Sequence, residues 1–149
     1  MSVSAFASNA YDRTTGTTCQ SHGDEECSVT FDRVHHVQLA MPSGQEHAAR
    51  DFYVGVLEMV EIDKPPALAQ RGGARFRAGG VELHPGVEDD FRPARKAHPG
   101  LLTPDLDEVA QRLTRAGHAV EGDANFPGYR RCYVSDPFGN RLEFLQRQP

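Results

Sequence analysis

Two histidines and two glutamates stand at nearly the same interval in the two halves of this chain. His36, in Arg33-Val34-His35-His36-Val37-Gln38-Leu39, precedes Glu82, in Val81-Glu82-Leu83-His84, by 46 positions. His98, in Lys96-Ala97-His98-Pro99-Gly100-Leu101, precedes Glu143, in Arg141-Leu142-Glu143-Phe144, by 45. Neutral imidazoles and carboxylates are ligands of divalent zinc, nickel, manganese and iron. An ion held by them keeps positive charge with which to polarise a carbonyl or bind two adjacent substrate oxygens. Metal-competent residues repeated at one interval suggest one supersecondary unit used twice, with a site where the copies face each other.

The elements that must position these residues are readable from periodicity. Residues 34–41 alternate as a strand, with Val37, Leu39 and Met41 on the apolar face beside His35, and His36, Gln38 and Ala40 on the other. Residues 43–59 place Ala48, Phe52, Val56 and Met59 at helical spacing, with Ser43 as N-cap and Glu46 completing a capping box. Short strands follow at 59–62, 74–78 and 81–84; Pro65-Pro66 ends the first and Gly79-Gly80 turns between the others. Val81 and Leu83 belong to the core, so Glu82 and His84 share the opposite face.

Charged residues 88–96, with Pro93, read as a linker, after which the order recurs. A strand at 97–103 carries Pro99, and a helix at 105–116 lines up Leu106, Val109, Ala110 and Leu113 before Gly117 caps it. Strands at 119–121, 131–134 and 142–145 complete the half, the last two joined by Asp136-Pro137-Phe138-Gly139-Asn140. Leu142 and Phe144 must face the helix, which turns Glu143 to the other side with Arg141 and Leu145.

Composition bounds the function. A length of 149 residues suits one compact domain or two half-size modules sharing a core. The net charge of −5 comes from 21 acidic and 16 basic residues without a basic stripe, which argues against nucleic acid as a partner. No apolar run is long enough to span a bilayer and the first ten residues lack signal-peptide character, so a soluble, cytoplasmic protein is expected. Residues 1–30, rich in Ser, Thr, Asp, Glu and Gly, are expected to form a disordered extension. Cys19 and Cys27 flank His22 there and are read as part of a solvated tail, while Cys132 is read as a packed thiol.

The duplicated strand-helix-strand order resembles the vicinal oxygen chelate superfamily, which includes glyoxalase I, extradiol dioxygenases, and fosfomycin and bleomycin resistance proteins. The resemblance covers residues 33–147. It rests on His36-Val37-Gln38-Leu39, Phe52-Tyr53-Val54-Gly55-Val56-Leu57 and Asp136-Pro137-Phe138-Gly139-Asn140-Arg141-Leu142-Glu143. It implies an α+β domain over residues 31–149, made of two tandem βαβββ modules that form a U-shaped mixed sheet around a concave site. The modules fall at about 33–87 and 97–147.

The resemblance also implies the ligands of a divalent metal ion (Zn, Ni, Mn or Fe): His36 and Glu82 from the first module, His98 and Glu143 from the second, with Glu143 or Glu82 as catalytic base. Aligning Gly80-Val81-Glu82-Leu83-His84 with Gly139-Asn140-Arg141-Leu142-Glu143 puts His84 in the place of Glu143, so Glu82 and His84 both stand as the fourth ligand. The implied activity is that of a glyoxalase-like metal-dependent enzyme, isomerase or lyase, acting on a small oxygenated substrate through metal-stabilised oxyanion chemistry. The alternatives are a non-catalytic drug- or metabolite-binding resistance protein, which the lack of tryptophan disfavours, and an extradiol-type dioxygenase. Modules pair either within one chain or across the two-fold axis of a homodimer. Arg75, Arg77, Arg130 and Arg131 could fork a carboxylate or phosphonate, but the sequence assigns them no role.

Overall fold

The computed structural model describes residues 30–149, so the expectations for the leader, with Cys19, His22 and Cys27, lie outside the described residues. The chain divides into Met1–Asp32 and Arg33–Pro149, and every helix and strand among the described residues belongs to the second unit.

The first half runs β1 (Val37–Met41), α1 (Glu46–Tyr53), β2 (Val60–Glu61), α2 (Pro66–Ala69), β3 (Phe76–Ala78) and β4 (Val81–Val87). The second runs β5 (Gly100–Leu102), α3 (Leu106–Arg115), β6 (Glu121–Asp123), β7 (Tyr129–Ser135) and β8 (Arg141–Arg147). Two mixed four-stranded sheets result, ordered β1-β4-β3-β2 and β5-β8-β7-β6. In each, the first strand lies parallel to the last and the remaining pairs are antiparallel. The fold is therefore α+β, built of two tandem βαβββ modules, with α2 added to the first.

Local chemistry explains the helices. Asp105 caps α3 by accepting the Glu108 N–H at 3.0 Å, Arg112 reaches back to Glu108 one turn earlier, and Gly117 leaves the helix at φ +85°. The capping box expected at Ser43 and Glu46 does not form. The helix starts at Glu46, Gln45 stands at the N-cap without a side-chain bond, and the Glu46 carboxylate instead accepts the Gly73 N–H at 2.8 Å. A tertiary donor has taken the acceptor that a local cap needed. That bond also lowers the Glu46 pKa below the usual carboxylate value. The helix ends at Tyr53, short of the expected 59, because residues 54–57 turn back: the Met59 N–H closes on the Tyr53 carbonyl at 2.9 Å, with Glu58 at φ +53°. That reversal drives Met59 into the core.

One core serves both modules. It joins Phe52 and Tyr53 of α1, Phe76 and Leu83 of the first sheet, Leu106 and Leu113 of α3, and Cys132, Leu142 and Phe144 of the second sheet. Both sheets thus turn their apolar faces to a common interior and their polar faces away from it. Polar links pin the modules together: Tyr53 Oη donates to Asp136 Oδ2 at 3.0 Å, and Asn140 Nδ2 donates to the Ala40 carbonyl at 2.8 Å. Burial raises the pKa of the Asp136 carboxyl and pushes that of the Tyr53 hydroxyl well up. Among the described residues no helix is long and apolar enough to cross a membrane.

Candidate functional site

Strand register decides which residues correspond between the modules. In the first sheet Gln38, two residues beyond His36, lies opposite His84; in the second, Gly100, two residues beyond His98, lies opposite Glu143. His84 is therefore the positional counterpart of Glu143, and Glu82 is that of Arg141. The near-equal sequence intervals do not mark equivalent register positions.

Glu82, His84 and Glu143 all lie on the faces turned from the core, as strand alternation requires, and all three are buried there by neighbouring side chains. His36, exposed at the entry to β1, stacks on His84 with ring centroids 4.2 Å apart and planes 18° from parallel. Arg77 donates Nε and Nη2 to Glu82 Oε1 at 2.9 and 2.6 Å, and His84 Nε2 lies 3.0 Å from Glu82 Oε2. The Arg77 bonds, then the His84 contact, bring the Glu82 carboxyl down to about 2. Burial lowers the His84 pKa, favouring the neutral ring. Arg75 Nε also approaches His84 Nε2, at 3.2 Å. Nε2 thus faces a group that can only donate, the Arg75 N–H, and one that can only accept, the ionised Glu82 Oε2, so each tautomer of the His84 ring has a partner there.

The second module shows a different electronic arrangement. His98 Nδ1 lies 2.7 Å from the Lys96 carbonyl, which can only accept, so that nitrogen carries the proton. In the neutral ring Nε2 then presents a lone pair to Glu143 Oε2, 3.4 Å away. In the protonated ring the same nitrogen would donate to that carboxylate. Glu143 Oε1 accepts from Arg131 Nη1 at 2.9 Å, and Arg131 Nη2 donates to Asp123 Oδ2 at 2.9 Å. Tyr133 meets the His98 ring edge-on at 5.6 Å, and its hydroxyl pKa is raised by burial and by the Glu143 charge.

The five sequence-nominated residues thus fall into two groups, one in each module. His36 and Glu82 both meet His84 on one sheet, and His98 meets Glu143 on the other. Among the described residues no three His, Cys, Asp or Glu side chains gather as a metal-holding group. The reason is architectural: both sheets back onto one core, which directs the two polar faces apart. Residues that sequence reasoning left without a role are Arg75, Arg77 and Arg131, each bound to a site carboxylate or histidine. Period-two alternation was the available signal. It separates Arg131, aimed at Glu143, from Arg130, which pairs with Asp107 of α3 at 3.0 Å.

The model of the Glyoxalase/Bleomycin resistance protein/Dioxygenase superfamily matches residues 33–144. The chain belongs to this superfamily. A glyoxalase family protein from Bacillus anthracis is 44% identical, with a TM-score of 0.78, over 80% of this chain and 98% of that one. TnmS3, an antibiotic binding protein from Streptomyces sp. CB03234, is 26% identical with a TM-score of 0.59, over 80% of this chain and 100% of its own. A lactoylglutathione lyase from Agrobacterium tumefaciens, at 19% identity and a TM-score of 0.62 over 78% and 95% of the chains, shares the fold. No curated protein matches.

Within this glyoxalase-superfamily domain, the polar face of the first sheet borders a cavity of about 460 Å³, whose lining includes His36, Gln38, Lys64, Arg71, Arg75 and His84. A volume of that size suits a small molecule.

Proposed function

We propose that this glyoxalase-superfamily member is a metal-dependent enzyme of isomerase or lyase type, acting on a small oxygenated substrate at a site completed by a second copy of the chain. The observation that carries this is the apposition of His98 Nε2 and Glu143 Oε2, 3.4 Å apart, with His98 Nδ1 committed to a backbone carbonyl. A ring fixed through one nitrogen, with the other turned to a carboxylate, is how a protein prepares a histidine for a cation. The first module supports the reading in a complementary way. His84 rests against Glu82 through Nε2, with its ring stacked on His36.

Neither pair alone supplies the three or four protein ligands that such ions take. Joining the first module of one copy to the second module of another about a two-fold axis would give two equal sites, each with His36, His84, His98 and Glu143. Glu82 would orient His84. An ion there would polarise a carbonyl or hold two adjacent oxygens. Glu143, its Oε1 held by Arg131, presents Oε2 as the group to take a proton beside such a carbonyl.

A second reading, a non-catalytic binding protein, is favoured by one feature. Phe126 stacks on Tyr129 at 5.1 Å and 15° beside the Arg131 guanidinium, at the wall of a cavity of about 520 Å³. The 26% identity to an antibiotic binding protein supports it as well.

The deciding experiment measures metal content by plasma mass spectrometry in protein without a histidine tag, for the wild type, His36→Ala/His84→Ala, His98→Ala/Glu143→Ala, and the two variants co-expressed. The proposal expects metal in the wild type, none in either variant, and partial recovery in the mixture, whose mixed dimers regain one intact site. A wild type that takes up no metal on reconstitution sinks the enzyme reading in favour of the binding protein. Metal in the wild type without recovery in the mixture places the site within one chain.

A further inference from the structure

We infer that the cavity beside His84 recognises an oxyanion group on the small molecule, a carboxylate or a phosphonate-like group, through Lys64, Arg71 and Arg75. This rests on reading the polar face of the first sheet as part of the substrate site, and it names the chemical class that face would select.

Charge is the first argument. The cavity of about 460 Å³ is lined by Lys64, Arg71, Arg75 and the rings of His35, His36 and His84, and by no carboxylate. Two acidic groups beside it have other partners: Glu82 accepts both Arg77 bonds, and Glu46 accepts the Gly73 N–H while its charge also acts on Lys64. Arg75 gives Nη1 to the Asp63 carbonyl and Nε to His84 Nε2, each at 3.2 Å, and keeps a longer contact, 3.6 Å, to Glu82. Lys64 Nζ donates to the carbonyls of Gly72 and Gly73, which orient the ammonium. No hydrogen bond or ion pair holds the exposed Arg71 side chain among the described residues. Three cations around one cavity repel one another unless an anion shares them.

The second argument is construction. Gly73 has φ +78°, and a Cβ there would stand 2.4 Å from the Pro85 carbonyl oxygen. Only glycine lets this loop lie so close to β4, and that approach holds Lys64 and Arg71 around the wall formed by His84. The other module makes the contrast. Its site-facing Arg131 is matched by two carboxylates, Glu143 and Asp123. Anion capture therefore belongs to the first module, and the cation-seeking pair to the second.

The test uses inorganic phosphate and acetate as probes on the full chain, by titration calorimetry, with ³¹P line broadening for phosphate. It is run on chelator-treated protein and again after zinc loading. Metal-free wild type is expected to bind one phosphate per chain, or acetate if the site prefers a carboxylate, more weakly as sodium chloride rises. Arg71→Ala should weaken binding about tenfold and Arg71→Glu further, with unchanged far-ultraviolet circular dichroism. Arg130→Ala, on the other module, should leave it unaltered. The inference is overturned if neither anion binds the metal-free protein, or if Arg71→Glu binds as the wild type does. Binding that needs zinc and ignores Arg71 overturns it while leaving the metal reading intact. Loss of metal binding alone overturns only the latter.

Discussion

His84 stands in the first sheet where Glu143 stands in the second: each lies opposite the residue two places beyond a histidine, and each touches that histidine. The chain therefore places an imidazole at one of two equivalent positions and a carboxylate at the other. Glu82 sits one step away, tied down by Arg77. His84→Ala is expected to abolish metal uptake as completely as Glu143→Ala. Glu82→Gln should lower affinity by only about 10- to 100-fold, the effect of losing an orienting partner. Competition against a chelating dye distinguishes these; the reverse order would make Glu82 the ligand.

Asp136 is the polar rivet between the modules. Its Oδ1 accepts the Phe138 and Asn140 N–H groups, and its Oδ2 accepts Tyr53 Oη and Asn140 Nδ2. Asp136→Ala strands several buried donors at once and should destabilise the fold by about 3 kcal/mol in urea titrations. Tyr53→Phe removes one donor and should cost about 1 kcal/mol.

The same carboxyl makes part of the stability pH-dependent. Burial raises the folded-state pKa of Asp136 above its ordinary 3.8, so its contribution is fully present below that value and declines as pH rises through the folded pKa. The stability difference between wild type and Asp136→Asn should therefore shrink as pH rises from below 3.8. Glu46 has the opposite sign: the Gly73 N–H lowers its pKa from 4.5, so its contribution is present above 4.5 and lost as pH falls below it. Urea midpoints of Asp136→Asn and Glu46→Gln, each against wild type, across about pH 3 to 7 check both slopes.

Gly73→Ala is expected to be worse than an ordinary surface change. The residue has φ +78° and no room for a Cβ against Pro85, so strain and displacement should cost about 1–3 kcal/mol. Gly79→Ala, at φ +54° but in open space, should cost less. Thermal melts of the two variants give the comparison.

Much of the architecture was legible because it is local. Period-two alternation sends Leu83, Leu142 and Phe144 to the core and Glu82, His84 and Glu143 to the opposite face, since successive side chains on a strand must alternate. The turn residues Gly79-Gly80 and Asp136-Pro137-Phe138-Gly139-Asn140 marked the hairpins for the same reason. Local signals failed where a distant partner competed. Glu46 gave up its capping role to the Gly73 N–H, and the helix beginning there stopped once Met59 was drawn into the core.

By itself the sequence determined the superfamily, the duplicated α+β order and the strand face on which Glu82, His84 and Glu143 lie, whereas His36 and His98, expected on strands, stand just before β1 and β5. Tertiary structure decided three things the chain does not spell out: the parallel register that matches His84 with Glu143, the arginines that pair with Glu82 and Glu143, and the separation of the His36–His84 and His98–Glu143 contacts between the two modules. From β1 to β4 the matched positions Gln38 and His84 are 46 apart, while Gly100 and Glu143 are 43 apart. The first module holds three more residues between its paired positions and alone carries α2. Spacing along the chain cannot report such a register, because pairing between strands so far apart is set by the packing of the shared core.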